Sequence, residues 1–185
     1  MPNIVAISGS LRSKSFNTML LRAVIAAAPA GTTITVGSIE GIPLYNADVD
    51  AAGPVAPVRD LKEQIAASDG VLLVSPEYNH SVPGVLKNAI DWVSRPVTDI
   101  PRVFGDRPVG VIGATSGAGG TTLAQVAWLP VFRGLGMVPF SSAKLLVANA
   151  ATVFDEHGAL QDAAVRTQID QYLAGFVRFV ARNRR

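Results

Sequence analysis

The chain has no cysteine among its 185 residues, and it has two histidines. The lack of cysteine excludes disulfide bonds, thiol nucleophiles, thiolate-bound metals and iron–sulfur clusters, so any redox chemistry needs a bound cofactor. His80 is a lone histidine without nearby partners of the metal-ligand type, His157 lies in a predicted turn, and we predict no metal site. No apolar run reaches the roughly 20 residues of a membrane span, and no signal-peptide pattern is visible. We therefore expect a cytoplasmic protein without membrane contact.

Charge is scarce and unevenly placed. Charged residues make up 16% of the chain and hydrophobic residues 49%, which indicates a compact core rather than disorder. The net charge is +2, yet Arg178, Arg182, Arg184 and Arg185 alone exceed it, and no acidic residue lies in 178–185. The rest of the chain is therefore slightly acidic. A nucleic-acid partner would need a wider basic face, so we predict none.

Strand-like and helix-like patterns alternate along the whole chain, and we predict one domain over residues 1–185. Short Val- and Ile-rich runs favour a parallel sheet covered on both faces. Five such units predict an α/β doubly wound sheet in the order 2-1-3-4-5. We expect Pro130 to bend or break its helix. The predicted strands are 3–8, 32–38, 70–75, 108–114 and 143–147, and the predicted helices are 17–28, 57–68, 83–95, 120–135 and 162–182.

The loop after the first strand has the composition of a phosphate site. Residues 9–17 (GSLRSKSFN), here called the phosphate loop, combine serine hydroxyls and an asparagine amide with the guanidinium of Arg12. A helix is predicted to begin near Asn17, and its free N–H groups would point at the loop. Ser15 or Asn17 also suits a helix cap, which does not conflict with anion binding. The triphosphate P-loop and the G-x-G-x-x-G dinucleotide fingerprint are both absent.

The loop after the third strand suits a flat ligand. Residues 76–84 (PEYNHSVPG), here called the ring loop, are stiffened by Pro76 and Pro83, and Tyr78 offers a planar face with a polar tip. We interpret Glu77 as a residue that positions this loop, with an acid–base role as the alternative. Residues 113–120 (GATSGAGG), the glycine-rich loop, would let backbone amides approach the same ligand. A phosphate and a planar ring at one sheet edge describe a mononucleotide such as FMN.

The phosphate loop and the ring loop resemble the motifs of a known protein family. GSLRSKSFN together with PEYNHSVPGVLKNAIDW resembles the NAD(P)H-dependent FMN reductase family, and specifically its bacterial soluble quinone and chromate reductases. The likeness extends to about residue 180 and implies a flavodoxin-like fold. It also implies that the phosphate loop wraps the FMN phosphate while the ring loop and glycine-rich loop line the isoalloxazine. The FMN-binding residues implied are Ser10, Leu11, Arg12, Ser15, Phe16, Asn17, Pro76, Glu77, Tyr78, Asn79, Ser116 and Gly117.

The resemblance also implies an activity. It is two-electron, ping-pong hydride transfer from NADPH or NADH, through FMN, to a small acceptor such as a quinone. Chromate, azo dyes, ferric complexes and free flavin are further candidate acceptors. FMN carries the chemistry, so no side chain is assigned as catalytic. Relatives are homodimers or homotetramers. A one-electron flavodoxin-type carrier and a flavin-binding regulatory protein remain as alternatives, because a shared fold does not decide function.

Overall fold

The computed structural model describes residues 1–184; Arg185, the last of the C-terminal arginines, lies outside the described residues. Strands and helices alternate over this length, as the sequence pattern predicts. The strands are β1 (Asn3–Ser8), β2 (Thr33–Gly37), β3 (Gly70–Val74), β4 (Pro108–Ala114), β5 (Val138–Pro139) and β6 (Leu146–Val147). The helices are α1 (Phe16–Ala26), α2 (Ala47–Ala51), α3 (Ala56–Ala66), α4 (Gly84–Val93), α5 (Ile100–Val103), α6 (Thr122–Ala127), α7 (Leu129–Gly134), α8 (Ala150–Val153) and α9 (Ala163–Asn183), and a 3₁₀ turn spans Val97–Asp99.

The sheet is parallel, in the order β2-β1-β3-β4-β5, which confirms the predicted topology. One detail of the prediction is wrong. The fifth position holds two short strands, with β5 beside the start of β4 and β6 beside its end. Pro139 is one reason, because it has no N–H with which to extend the ladder. Phe140 then turns its ring onto Tyr172 of α9, with the centroids 5.4 Å apart.

Two helix predictions are also refined. The single helix predicted over 120–135 is broken into α6 and α7 around Trp128. Pro130 explains the break, because it offers no N–H to the carbonyl of Val126 four residues earlier. The predicted elements leave residues 39–56 without a helix or strand, yet α2 forms within them. Its N-cap is Asn46, whose side chain accepts a hydrogen bond from the N–H of Asp48 at 2.9 Å.

Each face of the sheet has its own hydrophobic core. Alternation along β1 sends Ile4 and Ala6 to the face covered by α1, α8 and α9, and Val5 and Ile7 to the face covered by α3, α4 and α7. β3 and β4 alternate in the same way. The central strands are thus buried on both sides, which explains their continuous apolar sequences.

Several charged side chains near the amino ends of the strands form hydrogen bonds and ion pairs that stabilise the fold. Arg107 is buried and donates to main-chain carbonyls at the ends of α3 and α5, including those of Ser68 and Val103. A cation suits these carbonyls because helix C-termini are electronegative. Arg102 donates to both Asp99 and Glu63, and its hydrogen bond is the largest cause that lowers the pKa of Asp99 to about 2. These charges therefore stabilise helix packing rather than a ligand site.

Candidate functional site

Three loops meet at the carboxyl edge of the sheet. They leave β1, β3 and β4, which are adjacent strands, so the phosphate loop, the ring loop and the glycine-rich loop lie side by side. This edge is where doubly wound sheets bind ligands. An open pocket lies between the loops. It is lined by Ser10, Arg12, Ser15, Phe16, Asn17, Pro76, Glu77, Tyr78, Ala114, Thr115 and Ser116.

The phosphate loop presents hydrogen-bond donors to this pocket. Ser15 is the N-cap of α1, and its Oγ accepts the N–H of Asn17 at 3.2 Å. Because that oxygen acts as an acceptor, the hydroxyl proton remains able to donate to an anion. Arg12 is exposed and donates from Nη2 to the carbonyl of Lys14 at 3.0 Å. A guanidinium has five N–H groups, so this one bond leaves donors for a phosphate.

The side chain of Asn17 forms structural hydrogen bonds that the sequence did not suggest. Its side chain is buried, its Nδ2 donates to the carbonyl of Ala114 at 2.9 Å, and its Oδ1 accepts the N–H of Ala114 at 2.9 Å. The amide therefore binds the end of β4 with both of its polar atoms. Asn17 lines the pocket, but its clearest function is to join the start of α1 to the end of β4. A phosphate contact from Asn17 stays a prediction.

The ring loop contains a tight turn. Tyr78 and Ser81 exchange backbone hydrogen bonds of 3.2 and 3.0 Å, and the two residues between them have positive φ angles, 50° at Asn79 and 61° at His80. Positive φ at both central positions is the geometry of a type I′ turn, in which Asn is common and His is less so. The turn leaves Tyr78 with 43% of its surface exposed at the pocket wall. The loop is thus shaped by this turn as well as by its prolines.

Glu77 reaches across the pocket to the next loop. Its Oε2 accepts the backbone N–H of Leu123 at 2.8 Å and that of Ala124 at 3.1 Å, in the first turn of α6. Its Oε1 lies 3.5 Å from Nδ1 of His80. These contacts agree with a positioning role for Glu77, as the sequence interpretation favoured, and they leave little of the carboxylate for a ligand.

The glycine-rich loop is held by close backbone packing. A Cβ at Gly113 would lie 2.2 Å from the carbonyl oxygen of Ser75 and 2.3 Å from Oγ1 of Thr121. Only glycine fits at this position without displacing a neighbour. Thr121 is fully buried and has a φ of 66°, which turns the chain into α6. The glycine-rich loop therefore begins in close contact with Ser75, the residue that precedes the ring loop.

Most of the predicted site residues do come together in space. Leu11, Asn79 and Gly117 lie outside the pocket lining but directly beside residues within it, and their contacts with a ligand stay predictions. Ala114 and Thr115 also line the pocket at the end of β4; the sequence analysis places them in the glycine-rich loop but does not name them as FMN-binding residues. The signal was present, because they directly follow the apolar run of that strand. Predicted residues that line the pocket are Ser10, Arg12, Ser15, Phe16, Asn17, Pro76, Glu77, Tyr78 and Ser116.

The donor set fits FMN in its distribution of charge. The phosphate-loop side holds a cation and hydroxyl donors, which suit a phosphate monoester. The one acidic residue of the lining, Glu77, accepts two backbone N–H groups at the electropositive start of α6, which offset part of its negative charge. The other side offers the ring of Tyr78 and the glycine-rich backbone, which suit a planar heterocycle. Within residues 1–184, no cluster of His, Asp or Glu is arranged to hold a metal, and no helix is long and apolar enough to cross a bilayer.

The packing at Gly113 generates a testable prediction. We expect Gly113→Ala to lower the free energy of unfolding by about 2 kcal/mol or more, because the added methyl group overlaps Ser75 and Thr121. Gly119→Ala is the matched control in the same loop, since a Cβ there meets nothing within 4 Å. Its effect should stay within about 0.5 kcal/mol in urea denaturation. Equal effects of the two substitutions would contradict the packing described.

Comparison with known proteins identifies the family of this chain. A family model described as NADPH-dependent FMN reductase matches residues 2–152. An NAD(P)H-dependent FMN reductase of Pseudomonas aeruginosa is 40% identical over 98% of this chain and 96% of its own length. A 2-hydroxy-1,4-benzoquinone reductase of a Burkholderia species is 37% identical over 98% and 97%.

A solved structure extends the likeness to three dimensions. The FerB flavoenzyme of Paracoccus denitrificans, an NAD(P)H:(acceptor) oxidoreductase, superposes over the full length of both chains with a TM-score of 0.90 and 30% identity. Sequence and fold thus point to one family over essentially the whole chain. The chain belongs to the NADPH-dependent FMN reductase family and has a flavodoxin-like fold.

Proposed function

We propose that this protein is an FMN-dependent NAD(P)H oxidoreductase that passes two electrons to a small acceptor of the quinone class. One observation carries the proposal: a phosphate-type loop and a ring-type loop border the same pocket at the carboxyl edge of β1 and β3. Bound FMN supplies the hydride chemistry, while the protein binds the cofactor, orients it and limits which molecules reach it. Membership of the family supports both the cofactor and the nicotinamide donor.

Different residues of the pocket would bind the phosphate and the ring of FMN. Arg12 and the hydroxyls of Ser10 and Ser15 would hold the phosphate, together with backbone N–H groups at the start of α1. Pro76 and Tyr78 would lie along the ring, and Ser116 would approach it from the glycine-rich loop. Leu11, Phe16, Asn17, Glu77, Asn79 and Gly117 complete the proposed FMN site.

A quinone acceptor is favoured by the relatives and by the chemistry. Two curated relatives at 35–37% identity are named as quinone reductases, one of them for 2-hydroxy-1,4-benzoquinone. Tyr78 is half-exposed beside the proposed ring position, so a flat acceptor has room to stack there. Nicotinamide donor and acceptor would use that face in turn. Chromate, azo dyes, ferric complexes and free flavin remain further acceptors to test.

Steady-state kinetics test this function. With FMN-loaded protein, we expect NADPH or NADH oxidation to depend on added benzoquinone and to give parallel double-reciprocal lines, because donor and acceptor share one face. The comparison of the two nicotinamides identifies the preferred donor. Bound FMN that neither nicotinamide reduces would contradict the proposal and favour a one-electron carrier or a flavin-binding regulator instead.

A second prediction concerns the phosphate. We expect Arg12→Ala to weaken FMN binding about 10- to 100-fold, since it removes a charge-assisted hydrogen bond. Binding of riboflavin, which has no phosphate, should change by less than about twofold on the same reasoning. Arg182→Ala, in the last turn of α9, is the control for loss of one positive charge. If Arg12→Ala weakens both flavins equally, Arg12 does not bind the phosphate.

We further propose that the protein forms a homodimer or homotetramer in the cytoplasm, as the family resemblance implies. The helices after the glycine-rich loop present exposed apolar side chains at Leu123, Val126 and Leu129, with 48%, 57% and 47% of their surfaces accessible. Exposed apolar groups at this spacing on neighbouring turns suit burial against another subunit. Their position beside the glycine-rich loop would place that subunit near the proposed FMN.

Charge placed in this patch should separate the subunits. We expect Val126→Lys to lower the sedimentation coefficient to that of a monomer, because a lysine buried in an apolar interface has no partner. Val36→Lys is the matched control, since Val36 is 52% exposed on β2 at the opposite edge of the sheet. An oligomer that survives Val126→Lys would show that the subunits associate through another surface.

A further inference from the structure

Helix α6 begins without a cap of its own. Thr121 holds the N-cap position, but its φ of 66° turns the side chain away, and it makes no capping hydrogen bond. Its hydroxyl oxygen instead accepts a hydrogen bond from Nε2 of Gln125 at 3.3 Å and packs against Gly113. The first N–H groups of a helix have no partner within the helix itself, so α6 needs an acceptor from elsewhere.

That acceptor comes from the ring loop. The carboxylate of Glu77 binds the N–H groups of Leu123 and Ala124, which lie 46 and 47 residues further along the chain. The Glu77 side chain is 16% exposed, so most of its own surface is shielded from water. A carboxylate is well suited to this position, because hydrogen bonds to an ionised acceptor are stronger than neutral ones and the start of a helix is electropositive.

The bond joins two walls of the proposed cofactor pocket. Glu77 belongs to the ring loop, while Leu123 and Ala124 follow directly on the glycine-rich loop. Other fixed points on the path between them are the backbone of Gly113 against Ser75 and the buried Thr121. The carboxylate of Glu77 thus adds a side-chain link between the ring loop and the start of α6 to these backbone contacts.

We infer that Glu77 is a positioning residue whose carboxylate holds the glycine-rich loop at a set distance from the ring loop, so that the site is assembled before a flavin enters. The inference rests on the proposed function for the identity of the ligand. A proton-transfer role does not suit Glu77, because Oε2 already accepts two N–H groups and Oε1 faces His80 at 3.5 Å. Preassembly favours affinity because the ligand need not order the loop that it binds.

The test uses the full chain in three forms: wild type, Glu77→Gln and Glu77→Ala. Glutamine keeps the shape and one acceptor oxygen without the charge, and alanine removes the acceptor. Glu156→Gln is the matched control, since Glu156 is 87% exposed in the turn before α9. Amide hydrogen exchange at Leu123 and Ala124 is measured without flavin, and FMN affinity is measured by fluorescence quenching at a temperature where urea curves show every variant folded.

We expect exchange at Leu123 and Ala124 to become faster in Glu77→Gln and faster still in Glu77→Ala, with the control unchanged. FMN affinity should fall in the same order, about tenfold or more for Glu77→Ala, because a charge-assisted bond of this kind is lost. Two results would overturn the inference. One is faster exchange with unchanged FMN affinity, which would make the bond purely structural. The other is weakened FMN binding with unchanged exchange, which would mean that Glu77 acts only by direct contact with the ligand and does not position the glycine-rich loop.

The same design separates this inference from the proposed function. If wild-type protein binds no FMN while Leu123 and Ala124 are protected by Glu77, the hydrogen bonds stand and the assignment of the ligand fails. The role of Glu77 in setting the flavin site then fails with it. If wild-type protein binds FMN and turns over NAD(P)H but the variants behave as the control, the function stands and the positioning role fails.

Discussion

The pair of hydrogen bonds between Asn17 and Ala114 holds the site together. β1 and β4 are not neighbours in the sheet, because β3 lies between them. The amide of Asn17 nevertheless exchanges two bonds of 2.9 Å with the backbone of Ala114, so the start of α1 is drawn over the end of β4. A buried amide with both polar atoms paired is costly to displace. The phosphate loop is therefore fixed over the middle of the sheet edge.

Local sequence determined much of this architecture in advance. The apolar runs identified β1, β3 and β4, and Pro130 correctly indicated the break between α6 and α7. The fifth position of the sheet was harder, because Pro139 and the turn of Phe140 onto α9 divide it into two short strands. That division depends on packing between distant segments. Periodicity within a single segment carries no information about it.

The candidate site, like the fold, was predictable from the sequence only in part. Composition alone indicated the donors of the phosphate loop and the planar face of Tyr78, since each motif lies within a few residues. Glu77 caps α6 through Leu123 and Ala124, which lie 46 and 47 positions further along the chain. The sequence did not reveal this contact. Nor did the sequence show that both polar atoms of the Asn17 side chain are hydrogen-bonded to the backbone of Ala114. Local chemistry thus predicts which groups are present, and tertiary packing decides which of them remain free for a ligand.

The central claim is that this fold binds FMN at the loop cluster and uses it for two-electron transfer. The most direct measurement is an anaerobic titration of the FMN-loaded protein with NADPH and with NADH, followed by visible absorption. If this claim is correct, about one equivalent of the preferred nicotinamide bleaches the flavin fully without a semiquinone band, and about one equivalent of benzoquinone restores the absorption. A protein that retains no FMN, or whose FMN neither nicotinamide bleaches, would contradict it.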